Sequence, residues 1–274
     1  MKPNEMSNIQ SEDERSSALL WLNLESDLKK AIEKGELKLD YQPIIEVKSG
    51  RIYGMEALLR WHHPHFGIIN SIDLFSVAEA TGLTSLIGEL VLKMACSQTF
   101  KWQKSTSLSL KIFINLSMTH VRTANFIETL YYVLNSTKIE PSSVILEIPQ
   151  IARLEQEDAS MLKMITSSGV DLSIDDFGTS NSSWKLLKSF GIIKIDNTMI
   201  KRINHYQEDS AKIVSAIFAM AKGMGIKTLA EGIETEKQWQ FLKDKNCDFM
   251  QGFYFSKPLN VEVFVQFLKK QTIF

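Results

Sequence analysis

Three short apolar runs between residues 143 and 196 decide the fold: SVILEIP at 143–149, VDLSIDDFG at 170–178 and IIKID at 192–196. The first and third are apolar on both faces, which is typical of parallel strands covered by helices. The stretch 150–169 between the first two is long enough for a crossover helix. This order of elements predicts an α/β protein with a parallel sheet.

The same alternation continues through the rest of the chain. Helical periodicity is clearest around Leu86–Ala95 and Ile213–Ala221. The other β-rich runs are Leu37–Ile44, Ile52–Arg60, Leu110–Ser117, Ile226–Glu231 and Phe249–Phe255. Eight such runs, with helices between most of them, predict a (β/α)₈ barrel. We expect a polar, disordered lead-in over 1–16 and one barrel domain over 17–274, beginning with a helix from Ser17 to Lys34.

Composition excludes several classes of protein. The 31 basic and 32 acidic residues give a formal net charge of −1, which argues against a duplex nucleic acid partner. Cys96 and Cys247 have no CxxC partner, so a disulfide framework is not expected. No apolar run approaches the ~18–20 residues of a membrane helix, and the first residues lack a signal-peptide core. We therefore expect a cytoplasmic protein without a membrane partner.

Polar and ionisable residues lie in or just after most of the candidate strands. They are Glu56, Asn115, Glu147, Asp175, Asp176, Lys194, Glu231, Glu234 and Gln251. For any one acid, a salt bridge or a helix cap is the simpler explanation, because a buried carboxylate is costly without a partner. The whole set is harder to explain in that way. In a barrel the strand ends converge on one face, so we expect one polar cluster there.

The chemistry of this cluster points to divalent metal ions. It contains oxygen ligands without histidine or cysteine, which favours Mg²⁺ or Mn²⁺. The adjacent Asp175 and Asp176 suit a pair of ions, because one carboxylate can bridge both. Two-metal sites are common in enzymes that cleave phosphodiesters. A lysine such as Lys194 can hold the attacking hydroxide or a phosphate oxygen.

Eight motifs, in order, resemble those of the EAL domain family, which contains cyclic di-GMP phosphodiesterases and their inactive relatives. They are YQPI at 41–44, EALLRW at 56–61, HP at 63–64, INLS at 114–117, DDFGT at 175–179, KID at 194–196, AEGIET at 230–235 and QGFYFSKP at 251–258. The resemblance spans about Leu24 to Leu268. It implies a modified TIM barrel whose first strand is antiparallel, and hydrolysis of cyclic di-GMP to linear pGpG with Mg²⁺ or Mn²⁺.

The resemblance also implies a role for each matching residue. The ligands of one metal would be Glu56, Asn115, Glu147 and Asp175, and those of the second Asp175, Asp176 and Glu231. Lys194 would contact the nucleophilic water, so that the catalytic set is Glu56, Asp175, Asp176, Lys194 and Glu231. Substrate contacts would come from Gln42, Leu58, Arg60 and Asp196, with Glu234 and Gln251 close to metal or substrate. A homodimer and a regulatory protein partner are further expectations of the resemblance.

Departures from the family pattern cluster around the loop after DDFG. Gln150 replaces a glutamate that anchors this loop in active members, and Ser180 and Asn181 replace a glycine and a tyrosine. Glutamine lacks the charge for a charge-assisted hydrogen bond, and serine adopts positive φ only at a cost. We expect intact metal ligation with slow turnover. Three functions therefore stay open: a slow phosphodiesterase, a non-hydrolysing cyclic di-GMP receptor and a protein-binding regulator.

Overall fold

The computed structural model describes most of the chain. The described residues are 24, 26–149, 154–155, 157–177, 186–203 and 208–270, without the side chains of 72, 176, 202–203 and 208–210. They divide into two compact units. The first contains the described residues up to Lys38 together with Leu59–Ile87, and the second contains Leu39–Leu58 together with the described residues from Gly88 onward. The expected lead-in over 1–16 lies outside the described residues.

Nine strands are present in the described part of the chain. They are β1 Leu37–Glu46, β2 Arg51–His63, β3 Gly67–Ile69, β4 Lys111–Asn115, β5 Val144–Pro149, β6 Asp171–Phe177, β7 Ile192–Ile195, β8 Lys227–Ala230 and β9 Phe249–Met250. Their order is β1-β9-β8-β7-β6-β5-β4-β2-β3, and an additional β1–β2 pairing closes the first eight into a barrel. β1 is antiparallel to β9, whereas the pairs from β2–β4 to β8–β9 are parallel. The prediction of a modified barrel with an antiparallel first strand is confirmed.

Helices connect most of the strands. They are α1 26–34, α2 Ser71–Thr81, α3 Thr84–Thr106, α4 Met118–Val121, α5 Phe126–Thr137, α6 Asp158–Ser167, α7 Asn197–Ile203, α8 Glu208–Met224, α9 Glu236–Asp244 and α10 Val261–Lys269. The predicted helices around 86–95 and 213–221 correspond to α3 and α8. Among the helices that the structure describes, none combines the length and apolarity needed to cross a membrane.

The first unit contains a β-hairpin that periodicity did not predict. β3 pairs antiparallel with the end of β2, with Trp61 opposite Ile69. Trp61 is fully buried, and its indole N–H donates to Glu36 Oε2 at 3.1 Å. His63 is also buried, with Nε2 3.5 Å from Asp27 Oδ2. Three residues of β3 are too few to show an alternating pattern.

The barrel of the second unit is filled in layers, and this layering positions the site. One apolar layer consists of Ile44, Phe113, Ile145, Ile192, Leu229 and Phe249. Two residues further along the chain from the apolar residues of the parallel strands come Asn115, Glu147, Lys194, Glu231 and Gln251, and two residues earlier on the antiparallel β1 comes Gln42. Because side chains alternate along a strand, residues two apart point to the same side. A polar layer therefore covers the apolar one at the carboxyl ends of the parallel strands.

Candidate functional site

Four carboxylates of the second unit surround the ammonium group of Lys194. Its Nζ lies 2.8 Å from Glu147 Oε1 and 2.8 Å from Glu231 Oε1. Asp175 Oδ1 and Glu56 Oε1 follow at 3.5 Å and 3.7 Å. Lys194 is 1% exposed and Glu147 is fully buried. The structure thus brings together five residues that the sequence analysis selected from five separate strand segments.

Two amide side chains donate hydrogen bonds to Glu56, and a third contacts one of these two donors. Asn115 Nδ2 donates to Glu56 Oε1 at 2.7 Å, and Gln251 Nε2 donates to Glu56 Oε2 at 2.7 Å. Gln251 Nε2 also lies 3.0 Å from Gln42 Oε1, and Gln42 Nε2 donates to the carbonyl oxygen of Ser256 at 3.0 Å. Both oxygens of Glu56 are therefore held by donors from neighbouring strands.

Burial and charge shift the pKa values of the cluster in different directions. Burial raises the pKa of Glu147 well above its ordinary value, and burial, partly offset by Lys194, raises the pKa of Glu231 to about 8. Burial acts in the same direction on Glu56, but Lys194 and the amide donors outweigh it and lower the pKa of that carboxyl. Burial opposes the charge of Lys194, yet the surrounding carboxylates raise its pKa well above the ordinary value. One ammonium thus faces an excess of acidic groups.

The donor set of the cluster fits a hard divalent cation. Glu147 Oε2 is buried and accepts no hydrogen bond from the described residues. The nearby donors are carboxylate and amide oxygens, which are the ligands that Mg²⁺ prefers. Lys194 lies among these oxygens. The structure does not describe the side chain of Asp176, and among the side chains that it does describe no three aspartate, glutamate, histidine or cysteine residues have the spacing of a metal site. A cation would compensate the same excess of negative charge that the ammonium compensates in part.

The other predicted site residues lie in different surroundings. Asp196 Oδ1 accepts hydrogen bonds from the backbone N–H and the hydroxyl of Thr198, so it caps the start of α7. Glu234 is half-exposed and pairs with Lys201 at 3.3 Å. Leu58 belongs to β2 of the second unit. Arg60 belongs to the first unit, where its Nη1 donates to the carbonyl oxygen of Leu59 at 2.9 Å.

Four of the selected residues cannot be placed at side-chain level. Asp176 is part of β6, but its side chain lies outside the described set. Gln150, Ser180 and Asn181 lie outside the described residues altogether. Their suggested roles stay predictions.

A salt bridge between Arg122 and Asp158 was not predicted from the sequence. Arg122 follows α4 and donates to Asp158 of α6 through Nε at 2.9 Å and Nη2 at 2.8 Å. Asp158 also accepts the backbone N–H of Glu155 at 2.8 Å. The pair joins the segment after Asn115 to the segment that follows Glu147. No local pattern links residues 36 positions apart, so the sequence carried no signal for it.

This salt bridge predicts a pH-dependent contribution to stability. The Arg122 hydrogen bonds lower the pKa of Asp158. A depressed carboxyl pKa stabilises the fold above the unfolded value of about 3.9, and the contribution is lost as pH falls further. Because Arg122 is partly exposed, we expect Asp158→Asn to lower the free energy of unfolding at pH 7 by about 1.5 kcal/mol. Urea unfolding should show this difference shrinking below about pH 4.

The matched control for this prediction is Asp244→Asn, at an exposed aspartate that ends α9. It should change the unfolding free energy by less than about 0.5 kcal/mol. Equal destabilisation by the two substitutions at pH 7 would contradict a specific role for the Arg122–Asp158 pair.

Comparisons with known proteins match most of the chain to one family. The model of the EAL domain matches residues 25–258. The bifunctional diguanylate cyclase/cyclic di-GMP phosphodiesterase MucR of Pseudomonas aeruginosa is 39% identical over 245 residues, which cover 88% of this chain and 36% of MucR. The cyclic di-GMP phosphodiesterase PdeR of Escherichia coli is 31% identical, over 94% of this chain and 39% of PdeR.

Solved structures show the same likeness. The solved PaMucR phosphodiesterase in complex with c-di-GMP superposes with a TM-score of 0.84 at 38% identity, covering 88% of this chain and 99% of that one. The EAL enzyme Bd1971 with cAMP and cyclic di-GMP bound has a TM-score of 0.86 at 28% identity, over 92% of this chain and 70% of the other. The chain spans little more than a third of the length of MucR and PdeR.

Proposed function

The chain belongs to the EAL domain family, and from this premise we propose that it hydrolyses cyclic di-GMP to linear pGpG with two Mg²⁺ or Mn²⁺ ions. The observation that carries the proposal is the convergence of Glu56, Glu147, Asp175 and Glu231 around Lys194. The named activities of MucR and PdeR support the choice of substrate, as does the cyclic di-GMP complex of the solved relative.

Charge balance explains why this cluster would need cations to accept its substrate. Cyclic di-GMP carries two phosphodiester negative charges, and a site with excess carboxylates repels them. Glu56, Asn115, Glu147 and Asp175 would hold one ion, and Asp175, Asp176 and Glu231 the other. When bound, the two ions supply Lewis-acid chemistry for the attacking water and the leaving oxygen.

The protein's own residues would position the groups that react. Glu147 and Glu231 hold the Lys194 ammonium in one place, from which it can donate a hydrogen bond to the attacking water oxygen. That oxygen forms a bond to phosphorus, and the bond from phosphorus to the 3′ oxygen breaks. The attacking water gives up one proton and the 3′ oxygen takes one up, so that the linear product carries a 3′ hydroxyl and a 5′ phosphate. The amide donors around Glu56 keep the carboxylate fixed throughout.

The test is direct. Purified protein is incubated with cyclic di-GMP and Mn²⁺, and pGpG is followed by chromatography, with EDTA in a parallel sample. We expect product that EDTA abolishes. Binding without product over a long incubation would show that the protein is a cyclic di-GMP receptor and not an enzyme. If neither binding nor product is found, the protein-binding regulator is the function that remains.

The receptor is the second candidate because of Gln150. If the missing charge at this position loosens the loop after DDFG, Gln150→Glu should raise the turnover rate by roughly five- to tenfold, the equivalent of one charge-assisted hydrogen bond. Gln266→Glu, on the exposed face of α10, is the matched control and should leave the rate unchanged. An unaltered rate in Gln150→Glu would remove the loop explanation.

The remaining predictions from the sequence concern the domain organisation, the cellular location and the partners of the protein. We propose that residues 17–274 act as one domain in the cytoplasm, that the chain forms a homodimer and that a regulatory protein partner controls it. Because the chain covers only 36% of MucR and 39% of PdeR, we propose for it none of their activities apart from the phosphodiesterase.

A further inference from the structure

A buried glutamine of α9, in the second unit, forms hydrogen bonds with three backbone groups outside its own helix. Gln238 is 1% exposed, and its Oε1 accepts the backbone N–H of Glu234 at 2.8 Å and that of Thr235 at 3.0 Å. Its Nε2 donates to the carbonyl oxygen of Ile200, in α7, at 3.4 Å. The side chain therefore links the segment that precedes α9 to α7. The family motifs did not select Gln238, because AEGIET ends at Thr235.

The segment that Gln238 holds begins at a residue of the carboxylate cluster. Residues 231–235 connect β8 to α9. Glu231 is the first of them, and its Oε1 lies 2.8 Å from Lys194 Nζ. The backbone N–H of Glu231 donates to Ile195 O at 3.2 Å, which extends the pairing of β8 with β7 by one hydrogen bond. Beyond Glu231 the chain leaves this pairing, so contacts with other segments must fix its course.

Two contacts fix the middle of the segment 231–235. Gly232 has a φ of +68°, and a Cβ there would lie 2.5 Å from Asn197 Cβ, so the segment touches the first residue of α7 and only glycine fits. On its other side, the N–H of Ile233 donates to Gln251 O at 3.1 Å. Gln238 provides a third contact, at the end of the segment.

The hydrogen bonds of Gln238 go beyond those that α9 needs at its start. In a capping box, the third residue of a helix accepts the backbone N–H of the N-cap residue, here Thr235. The bonds to Glu234 and Ile200 are additional to this pattern. A buried amide is costly unless its groups are paired. Here the partners belong to the two segments that follow Lys194 and Glu231 in the chain.

We propose that Gln238 is a positioning residue for Glu231. By holding the segment 231–235 against α7, it keeps the Glu231 carboxylate where a divalent cation can bind it. This inference rests on the proposed function, because Glu231 is a ligand only if the cluster binds metal. Groups that orient metal ligands through hydrogen bonds change metal affinity or activity by about 10- to 100-fold. We expect an effect of this size from Gln238, which acts through the backbone of the segment.

The experiment measures metal binding apart from turnover. Mn²⁺ binding to the full chain is measured by calorimetry without substrate, and the Mn²⁺ dependence of pGpG formation is measured in parallel. Gln238→Met has a similar volume but no acceptor oxygen, so we expect it to weaken binding of the ion that Glu231 would hold by about 10- to 100-fold. The Mn²⁺ concentration for half-maximal activity should rise by the same factor. Gln238→Glu keeps the acceptor oxygens and is a usual third residue of a capping box, so it should bind Mn²⁺ within about fivefold of the wild type.

Gln240→Met is the matched control, because it makes the same substitution on the exposed face of the same helix. Gln240 donates to Asp244 at 2.8 Å, both in α9, and its loss should leave Mn²⁺ binding unchanged. Circular dichroism and urea unfolding show which variants are folded. If Gln238→Met does not fold, Gln238→Asn, which keeps the amide but shortens its reach, takes its place with the same expectation.

The outcomes separate the two proposals. If the wild type binds Mn²⁺ and folded Gln238→Met binds it equally well, Gln238 does not position Glu231, while the proposed function stands. If Gln238→Glu loses as much affinity as Gln238→Met, the acceptor oxygen is not what holds the segment, and the inference is wrong. If the wild type binds no Mn²⁺, the proposed function fails and the role of Gln238 fails with it.

Discussion

Glu147→Gln is expected to lower the proposed formation of pGpG at least ~100-fold and to leave the protein folded, since even outer-shell partners of a metal affect activity by about that factor. Glu147 is fully buried, and its Oε2 accepts no hydrogen bond among the described residues. Glutamine has the same shape but lacks the charge that a divalent cation needs. We expect the Mn²⁺ concentration for half-maximal activity to rise together with the loss of rate.

The thermal stability of Glu147→Gln, unlike its activity, should not fall. A carboxylate buried at this depth costs free energy when ionised, and a neutral side chain of similar volume avoids that cost. The thermal midpoint in EDTA should therefore equal or exceed that of the wild type. Glu128→Gln, in the exposed first turn of α5, is the control and should affect neither rate nor midpoint. Full activity of Glu147→Gln at limiting Mn²⁺ would exclude Glu147 as a metal ligand.

The positions of the site residues were predictable because side chains alternate between the two faces of a strand, so that residues two apart lie on the same face. Apolar residues such as Ile145 and Ile192 each precede a polar residue by two positions, here Glu147 and Lys194. Parallel strands end on one face of a barrel, so this spacing alone places those polar residues together. The ordered family motifs reduced the number of candidate site residues further.

Features that depend on long-range contacts were not predictable from the sequence. The Arg122–Asp158 salt bridge is one such feature, because its two residues lie 36 positions apart in the chain. The predicted last strand ran to Phe255, but β9 ends at Met250 because the chain turns to meet Ile233. Lys194 was predicted to contact the attacking water. Its second role, balancing the charge of the surrounding carboxylates, follows only from the distances between its Nζ and their oxygens.

That balancing role predicts the largest change in stability. Lys194→Met leaves Glu56, Glu147, Asp175 and Glu231 without the ammonium that each of them approaches within 4 Å. Removing one partner of a buried ion pair costs about 3–5 kcal/mol, and we expect a loss of that size in the unfolding free energy in EDTA. Turnover should also fall at least ~100-fold, because the hydrogen bond to the attacking water is lost.

Metal binding should partly reverse the loss of stability in Lys194→Met. Without the ammonium, the carboxylates repel one another more strongly, so a divalent cation that binds them relieves more strain than it does in the wild type. The rise in thermal midpoint on adding Mn²⁺ should therefore be larger in Lys194→Met, while Lys222→Met, at an exposed lysine of α8, should match the wild type with and without metal. A Lys194→Met protein as stable in EDTA as the wild type would mean that the carboxylates are kept neutral by protons, and then neither the ammonium nor a cation would be needed to hold them together.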